Sequence, residues 1–289
     1  MHYEKVKGIL SARNGMNLYR GCQHGCIYCD ARSRCYQINH IFEDIAVKEN
    51  APELLEAALK SKRKPCMIGT GSMSDPYIPL EMELRMTRRC LELIEKYGFG
   101  VTMLTKSDRV LRDLDILRRI NSRTKAVVQM TLTTMDENLC RIVEPNVATT
   151  QHRVAALKAF RDAGIPTVVW LCPILPFLND TEENIRGILN CCADAGVKGI
   201  IQFGMGLTLR EGNREYFYEK LDKRFPGLKA RYIQTYGNAY ELPSPRAGAL
   251  DRVFHETCEK YGLWHDNDRI FRYLGTFEEK EQVTQLSLF

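Results

Sequence analysis

From about residue 16 to residue 205, short apolar runs rich in β-branched residues alternate with longer stretches whose apolar positions recur at helical spacing. The runs at 16–19, 65–69, 100–104, 126–131, 167–174 and 199–203 predict strands. The stretches at 52–60, 83–97, 108–121, 151–163 and 181–195 predict helices. Asp180 or Thr181 can cap the fifth helix ahead of Glu182 and Glu183, and Ala163-Gly164 closes the fourth. A repeated βα pattern implies an α/β fold with a parallel sheet and helical crossovers. Six units suit an incomplete (β/α)6 TIM-type barrel, and a doubly wound sheet has the same local signature. After about residue 207 the pattern breaks into charged, aromatic-containing segments, with helices predicted at 213–224 and 247–261. The expected organisation is a core over residues 1–206, a small α-rich C-terminal cap over 207–277 and a flexible tail over 278–289.

The chain has 289 residues, 44% hydrophobic and 27% charged, which excludes disordered, collagenous and coiled-coil classes. Its net charge of +5 is spread widely, which permits a nucleic-acid partner without demanding one. No run approaches the ~18–20 apolar residues that span a bilayer, and the first residues lack a secretory layout. The expectation is a cytoplasmic protein with no membrane contact. Eleven cysteines in a chain of this length, an odd number, argue against a disulfide framework. Eight are scattered, most among apolar neighbours where a thiol acts as a small hydrophobe. The other three, Cys22, Cys26 and Cys29, fall within eight residues.

In parallel α/β folds, ligand sites gather in the loops that leave the C-terminal ends of strands. The first such loop reads Gly21-Cys22-Gln23-His24-Gly25-Cys26-Ile27-Tyr28-Cys29-Asp30. Glycines at 21 and 25 allow tight turns, so the three thiols can wrap one metal centre. Three ligands on a four-iron cluster leave one iron open to a substrate or cofactor. The alternative is a closed zinc site completed by Cys35, His24 or His40, although zinc ligands usually come as two close pairs on separate elements. The second-strand loop, Gly69 to Pro79, places Ser74 and Asp75 where they can bind an ammonium or ribose group, or simply close a proline-rich turn. Lys106, after the third strand, adds a cation at the same rim or an ordinary solvated side chain.

C-x-x-x-C-x-x-C with an aromatic before the last cysteine, on the loop after strand one of a β/α core, resembles the radical S-adenosylmethionine (radical SAM) enzymes. The resemblance implies that Cys22, Cys26 and Cys29 bind a [4Fe-4S] cluster whose open iron chelates S-adenosylmethionine, with Tyr28 packed beside it. An external electron donor such as flavodoxin or ferredoxin then drives cleavage of SAM to methionine and a 5′-deoxyadenosyl radical. Ser74-Asp75-Pro76-Tyr77-Ile78-Pro79, Thr105-Lys106, Glu144-Pro145 and Arg153 with Ala163-Gly164-Ile165-Pro166 follow the order of the spore photoproduct lyase-like branch, over roughly residues 14–205. That likeness implies that Ser74, Lys106 and Thr131 line the SAM pocket, with Asp75 beside them and Glu144 holding the fourth-strand loop or a structural ion pair. In the lyase the loop matching Gly71–Met73 carries a cysteine hydrogen donor, and a tyrosine follows the last cluster cysteine. Here these positions hold Ser72, Met73 and Asp30, so the thymine-dimer relay lacks its thiol. Cys35, Cys140 or Cys172 replaces it only where the fold brings one to the substrate.

The sequence finishes Gln285-Leu286-Ser287-Leu288-Phe289, a polar anchor, two leucines and an aromatic suited to an apolar groove or to folding back on its own core. The pentapeptide resembles the sliding-clamp binding motif of bacterial replication and repair proteins, which implies recruitment to DNA. Arg210, Arg214, Lys220, Lys223, Arg224, Lys229 and Arg231, interleaved with Tyr216, Phe217, Tyr218 and Tyr232, suit phosphate contact and base stacking; Glu211, Glu215, Glu219 and Asp222 among them equally suit a solvated helix face. The leading expectation is a radical SAM enzyme acting on DNA or a DNA lesion. The alternatives are a peptide, RNA or small-molecule substrate, or a clamp-associated metal module without turnover.

Overall fold

The structure is a computed structural model that describes residues 1–280; the clamp-like residues 285–289 lie outside the described residues. Its centre is a six-stranded parallel sheet in the order β2 (Gly15–Met16), β5 (Met67–Thr70), β6 (Gly100–Thr105), β7 (Ala126–Thr131), β8 (Thr167–Trp170) and β9 (Gly199–Ile201). A doubly wound sheet reverses its strand order at a switch point. This order never reverses, so the strands wind one way into an incomplete barrel whose end strands β2 and β9 do not pair with each other and are bridged instead by Leu10 and Trp264, respectively. A small sheet of β1 (His2–Glu4), β4 (Ala46–Lys48) and β3 (Tyr19–Arg20) stands beside it.

The run expected as one strand at 16–19 is thus two: Met16 belongs to the barrel and Tyr19 to the small sheet, where it pairs with Val47. The cysteine segment therefore leaves the small sheet. Helix 83–97 is also divided, because Arg85 adopts the left-handed region at φ 52° between α2 (Glu81–Leu84) and α3 (Met86–Lys96). The start of the next helix is tightened to 3₁₀ geometry over Asp108–Asp113, ahead of α4 (Leu114–Arg123). The fifth strand stops at Trp170.

Helices α1 (Ala51–Ser61), α3, α4, α6 (Thr150–Asp162), α7 (Glu182–Asp194) and α10 (Ala247–Tyr261) bury their apolar stripes with the outward residues of the strands, such as Ile68, Met103, Val128 and Ile200, in one core. Residues 207–277 hold α8 (Asn213–Arg224), α9 (Leu228–Tyr236), α10 and α11 (Asn267–Gly275). Helix α10 packs on α7. Helix α11 lays Ile270 and Leu274 against Val127, Val168 and Ile201, the opposite face of the sheet, and plugs the half-barrel from inside. An antiparallel pair, β10 (Gly206–Thr208) with β11 (Glu241–Pro243), stands over the ends of the last strands.

Just before β7, at the end of the sheet remote from the loops, the buried Lys125 Nζ donates to the carbonyls of Tyr273 (2.8 Å) and Thr276 (3.1 Å). Lys280 N–H donates to Arg123 O at 2.9 Å, so the last described residues are fastened there.

Candidate active site

The loops leaving the carboxyl ends of the strands enclose a cleft of about 570 Å³. The cysteine segment forms one side and is pinned from three directions. Cys22 N–H donates to Phe42 O at 3.1 Å. Gly21, at φ +84°, makes this approach possible, since a Cβ there would collide with the same carbonyl oxygen. Ile27 N–H donates to Val143 O (3.0 Å) and Asn146 N–H to His24 O (3.1 Å), which lace the segment to the end of α5 (Glu137–Val143). From the second-strand loop, Ser74 Oγ donates to Gly21 O at 2.7 Å.

Asp75 joins these parts. Its Oδ1 accepts from Thr105 Oγ1 (2.7 Å) and Tyr77 N–H (2.8 Å), and its Oδ2 accepts from Lys106 N–H (2.8 Å) and lies 3.1 Å from His24 Nε2. Burial alone would raise its pKa; the His24, Lys106 and Thr105 contacts outweigh burial and hold the carboxyl at about 2. With both oxygens occupied, Asp75 is built to position its neighbours.

A second buried network stands behind Tyr28. Its hydroxyl donates to Glu144 Oε1, while Glu144 Oε2 receives Arg153; both side chains of that ion pair are fully buried. Arg153 also donates to Ala148 O and Thr131 O, each at 2.7 Å. Burial opposes the charged form of Glu144, yet Arg153 and Lys106 outweigh it and its pKa is lowered.

Lys106 differs from the other groups. Among the described residues its ammonium has no ion-pair or hydrogen-bond partner, and it faces the cleft 5.9 Å from the centre of the Tyr28 ring. Burial works against its charge, but Cys26, Glu144, Cys29 and Asp75 around it outweigh burial and raise its pKa. It is a protonated cation in want of an anion.

Burial pushes the Cys22 thiol up to about 12 and raises Cys26 and Cys29, as expected for thiols that ionise on meeting a metal. The three sulfurs do not all lie within 4.8 Å of one another. A single zinc with bonds of about 2.3 Å would draw them to roughly 3.8 Å apart, whereas a cluster offering each thiolate its own iron holds them farther apart. The possible fourth zinc ligands are also engaged elsewhere: His24 faces Asp75 and Asn146 O, His40 bonds Ile41 O, and Cys35 is exposed. The donor set fits the cluster.

Cys22, Cys26, Tyr28, Cys29, Ser74, Asp75 and Lys106 all line the cleft. Thr131 does not: it lies buried at the end of β7, its carbonyl taken by Arg153. Of the three reserve thiols, only Cys172 lines the cleft, where burial raises it to about 11. Cys140 is buried against Arg153 and Glu144, and Cys35 sits outside near Arg210. The basic segment at 210–232 is not a stacking surface. Phe217, Tyr218 and Tyr232 are buried together, and Lys223 and Lys229 pair with Glu219 and Asp222. Sequence reasoning missed Trp170, Phe203 and the residues of β11 as cleft walls. Trp170 carried one signal, its place at the end of a strand.

The sequence matches the radical SAM superfamily over residues 16–192, well over half of its length, and the chain belongs to that superfamily, whose enzymes use a [4Fe-4S] cluster, S-adenosylmethionine and an electron donor. An uncharacterised protein of Mycobacterium tuberculosis (strain ATCC 25618 / H37Rv) is 31% identical over 266 residues, covering 89% of this chain and 77% of its own. A protein of Pseudomonas phage M6 named radical SAM Nalpha-GlyT isomerase is 23% identical over 182 residues, 62% of this chain and 36% of its own. Among solved structures, a spore photoproduct lyase complexed with dinucleoside spore photoproduct has the same fold, at a TM-score of 0.64 and 16% identity over 86% of this chain and 74% of that one. Among the described residues no helix is long and apolar enough to cross a membrane.

Proposed function

We propose that this radical SAM enzyme acts on DNA or a DNA-bound lesion, with Cys22, Cys26 and Cys29 holding the cluster. The observation that carries the site assignment is the convergence on one cleft of the three thiols of Cys22, Cys26 and Cys29, an unpartnered ammonium and the thiol of Cys172. When bound, cluster and cofactor together supply a carbon radical able to abstract hydrogen. Lys106 would receive the carboxylate of the cofactor, Ser74 and Asp75 would fix the loops around it, and Tyr28 would wall off the cluster side from water. Cys172, the reserve thiol that lines the cleft, would return a hydrogen atom to a substrate radical, and its thiyl radical would then take an electron from the external donor and a proton from solvent to restore the thiol. The nucleic-acid substrate is supported by the fold shared with a lyase that binds a dinucleoside photoproduct, and by Gln285, Leu286, Ser287, Leu288 and Phe289, which resemble a sliding-clamp ligand and would tether the enzyme to DNA.

Anaerobic reconstitution should load about four irons per chain, and reductant with SAM should release 5′-deoxyadenosine. Cys26→Ala should abolish both. Stoichiometric zinc without iron uptake would refute the site assignment. Irradiated DNA deuterated at thymine should pass deuterium into deoxyadenosine; no transfer from any DNA tested would refute the substrate. Deleting 285–289 should end retention on a sliding clamp.

A further inference from the structure

The wall of the cleft opposite in sequence to the cysteines carries an aromatic feature that the chemistry above does not use. Trp170 at the end of β8, Phe203 just beyond β9 and Phe271 on α11 meet with ring centres 5.7, 6.0 and 6.1 Å apart, and Phe203 and Phe271 are stacked at 28°. Phe203 is 61% exposed and Phe271 41%. One exposed phenylalanine is ordinary on a protein surface, but three contiguous rings beside a reaction cleft are not.

The rings are held in place by polar bonds behind them. Trp170 Nε1 donates to Gln129 Oε1 (2.7 Å), and Gln129 Nε2 donates to Thr102 Oγ1 (2.8 Å), a row that crosses three strands. Asn267 Nδ2 donates to Gln202 O (2.7 Å) and Asn267 Oδ1 accepts Gln202 N–H (3.3 Å), clamping the residue before Phe203 to the helix that carries Phe271. Trp170 and Phe203 line the cleft and Phe271 does not, so the surface runs from the reaction chamber outward.

We infer that Trp170, Phe203 and Phe271 form a stacking platform for a base of the nucleic-acid substrate, an inference that rests on the nucleic-acid reading above. The same cleft is bordered by the exposed side chains of Ser72 and Glu241, which can meet the hydrogen-bonding edges of a flat ring, and by Asp30 and Tyr36, which bond each other and Arg210. Stacking is indifferent to which base lies on it, so the platform admits a base and leaves selection to the polar border.

The test uses the reconstituted, SAM-bound enzyme and a fluorescein-labelled single-stranded oligothymidylate, read by anisotropy. Phe203→Ala should weaken oligonucleotide binding about tenfold or more while SAM affinity is unchanged, and Phe203→Trp should restore binding. In a Trp264→Phe background, the oligonucleotide should quench the remaining Trp170 fluorescence. Unchanged oligonucleotide affinity in Phe203→Ala overturns the platform and leaves the nucleic-acid reading standing. A loss of SAM affinity instead also overturns it, because the rings would then serve the adenine of the cofactor. If the unaltered enzyme binds no oligonucleotide, the nucleic-acid reading itself fails.

Discussion

The two sides of the cleft are built on opposite principles. On the cysteine side, nearly every polar group is bonded to another loop: Asp75 joins three segments, Glu144 joins Tyr28 to Arg153, and backbone bonds lace residues 22–27 to 42 and 143–146. On the β8–β9 side, the exposed Phe203 and the half-buried Trp170 face the opening, and the polar bonds that hold them lie behind them. A cluster and its cofactor are the same in every turnover, so their binding groups are fixed in advance by a dense network. A substrate must enter and leave, which an apolar, sequence-tolerant surface allows.

The comparison breaks most readily at Glu144. Replacing it by alanine leaves Arg153 buried without its carboxylate and should cost about 3–5 kcal/mol in urea denaturation. A loss below about 1 kcal/mol would mean that the cysteine side is less tightly determined than the bonds suggest. Next comes Lys106→Met, which removes the unpartnered cation of the cleft. SAM affinity measured by anaerobic calorimetry should fall roughly 10- to 100-fold, as for a lost charged hydrogen bond, while oligonucleotide affinity holds. Loss of both together would merge the two sides into one binding unit.

The smallest effect concerns acid. The carboxyl of Asp75 is held at about 2, below its ordinary 3.8, so its ionised form stabilises the fold above about pH 4 and that contribution fades as pH falls toward 2. It amounts to about 2 kcal/mol. The stability gap between the unaltered chain and Asp75→Asn should therefore narrow by about that much between pH 5 and pH 2. A constant gap would remove Asp75 from the network.

What was legible in the sequence follows from range. Strand 126–131 and helix 181–195 stood out because period and caps act within a few residues, as Thr181 shows by accepting from Asn184 N–H. Cys22, Cys26, Cys29, Ser74 and Lys106 were legible because each sits in a loop at a strand end. Helix α5 is not among the helices that the sequence predicts, although Asp136 caps it through Asn138 and Leu139, since seven residues are too few to display a period. Strand position put Thr131 at the end of β7 but could not show the Arg153 guanidinium that takes its carbonyl. The aromatic wall had no sequence pattern at all: Trp170, Phe203 and Phe271 come from separate elements and become neighbours only when α11 turns back into the half-barrel.

Lys125 and Lys280 fasten the end of the described chain to the floor of the sheet, while the reaction cleft opens at its roof. Strand β7 separates the two by six residues, about 20 Å. The described chain is therefore anchored at the end of the sheet opposite the cleft, and none of the residues in that anchorage lines the cleft.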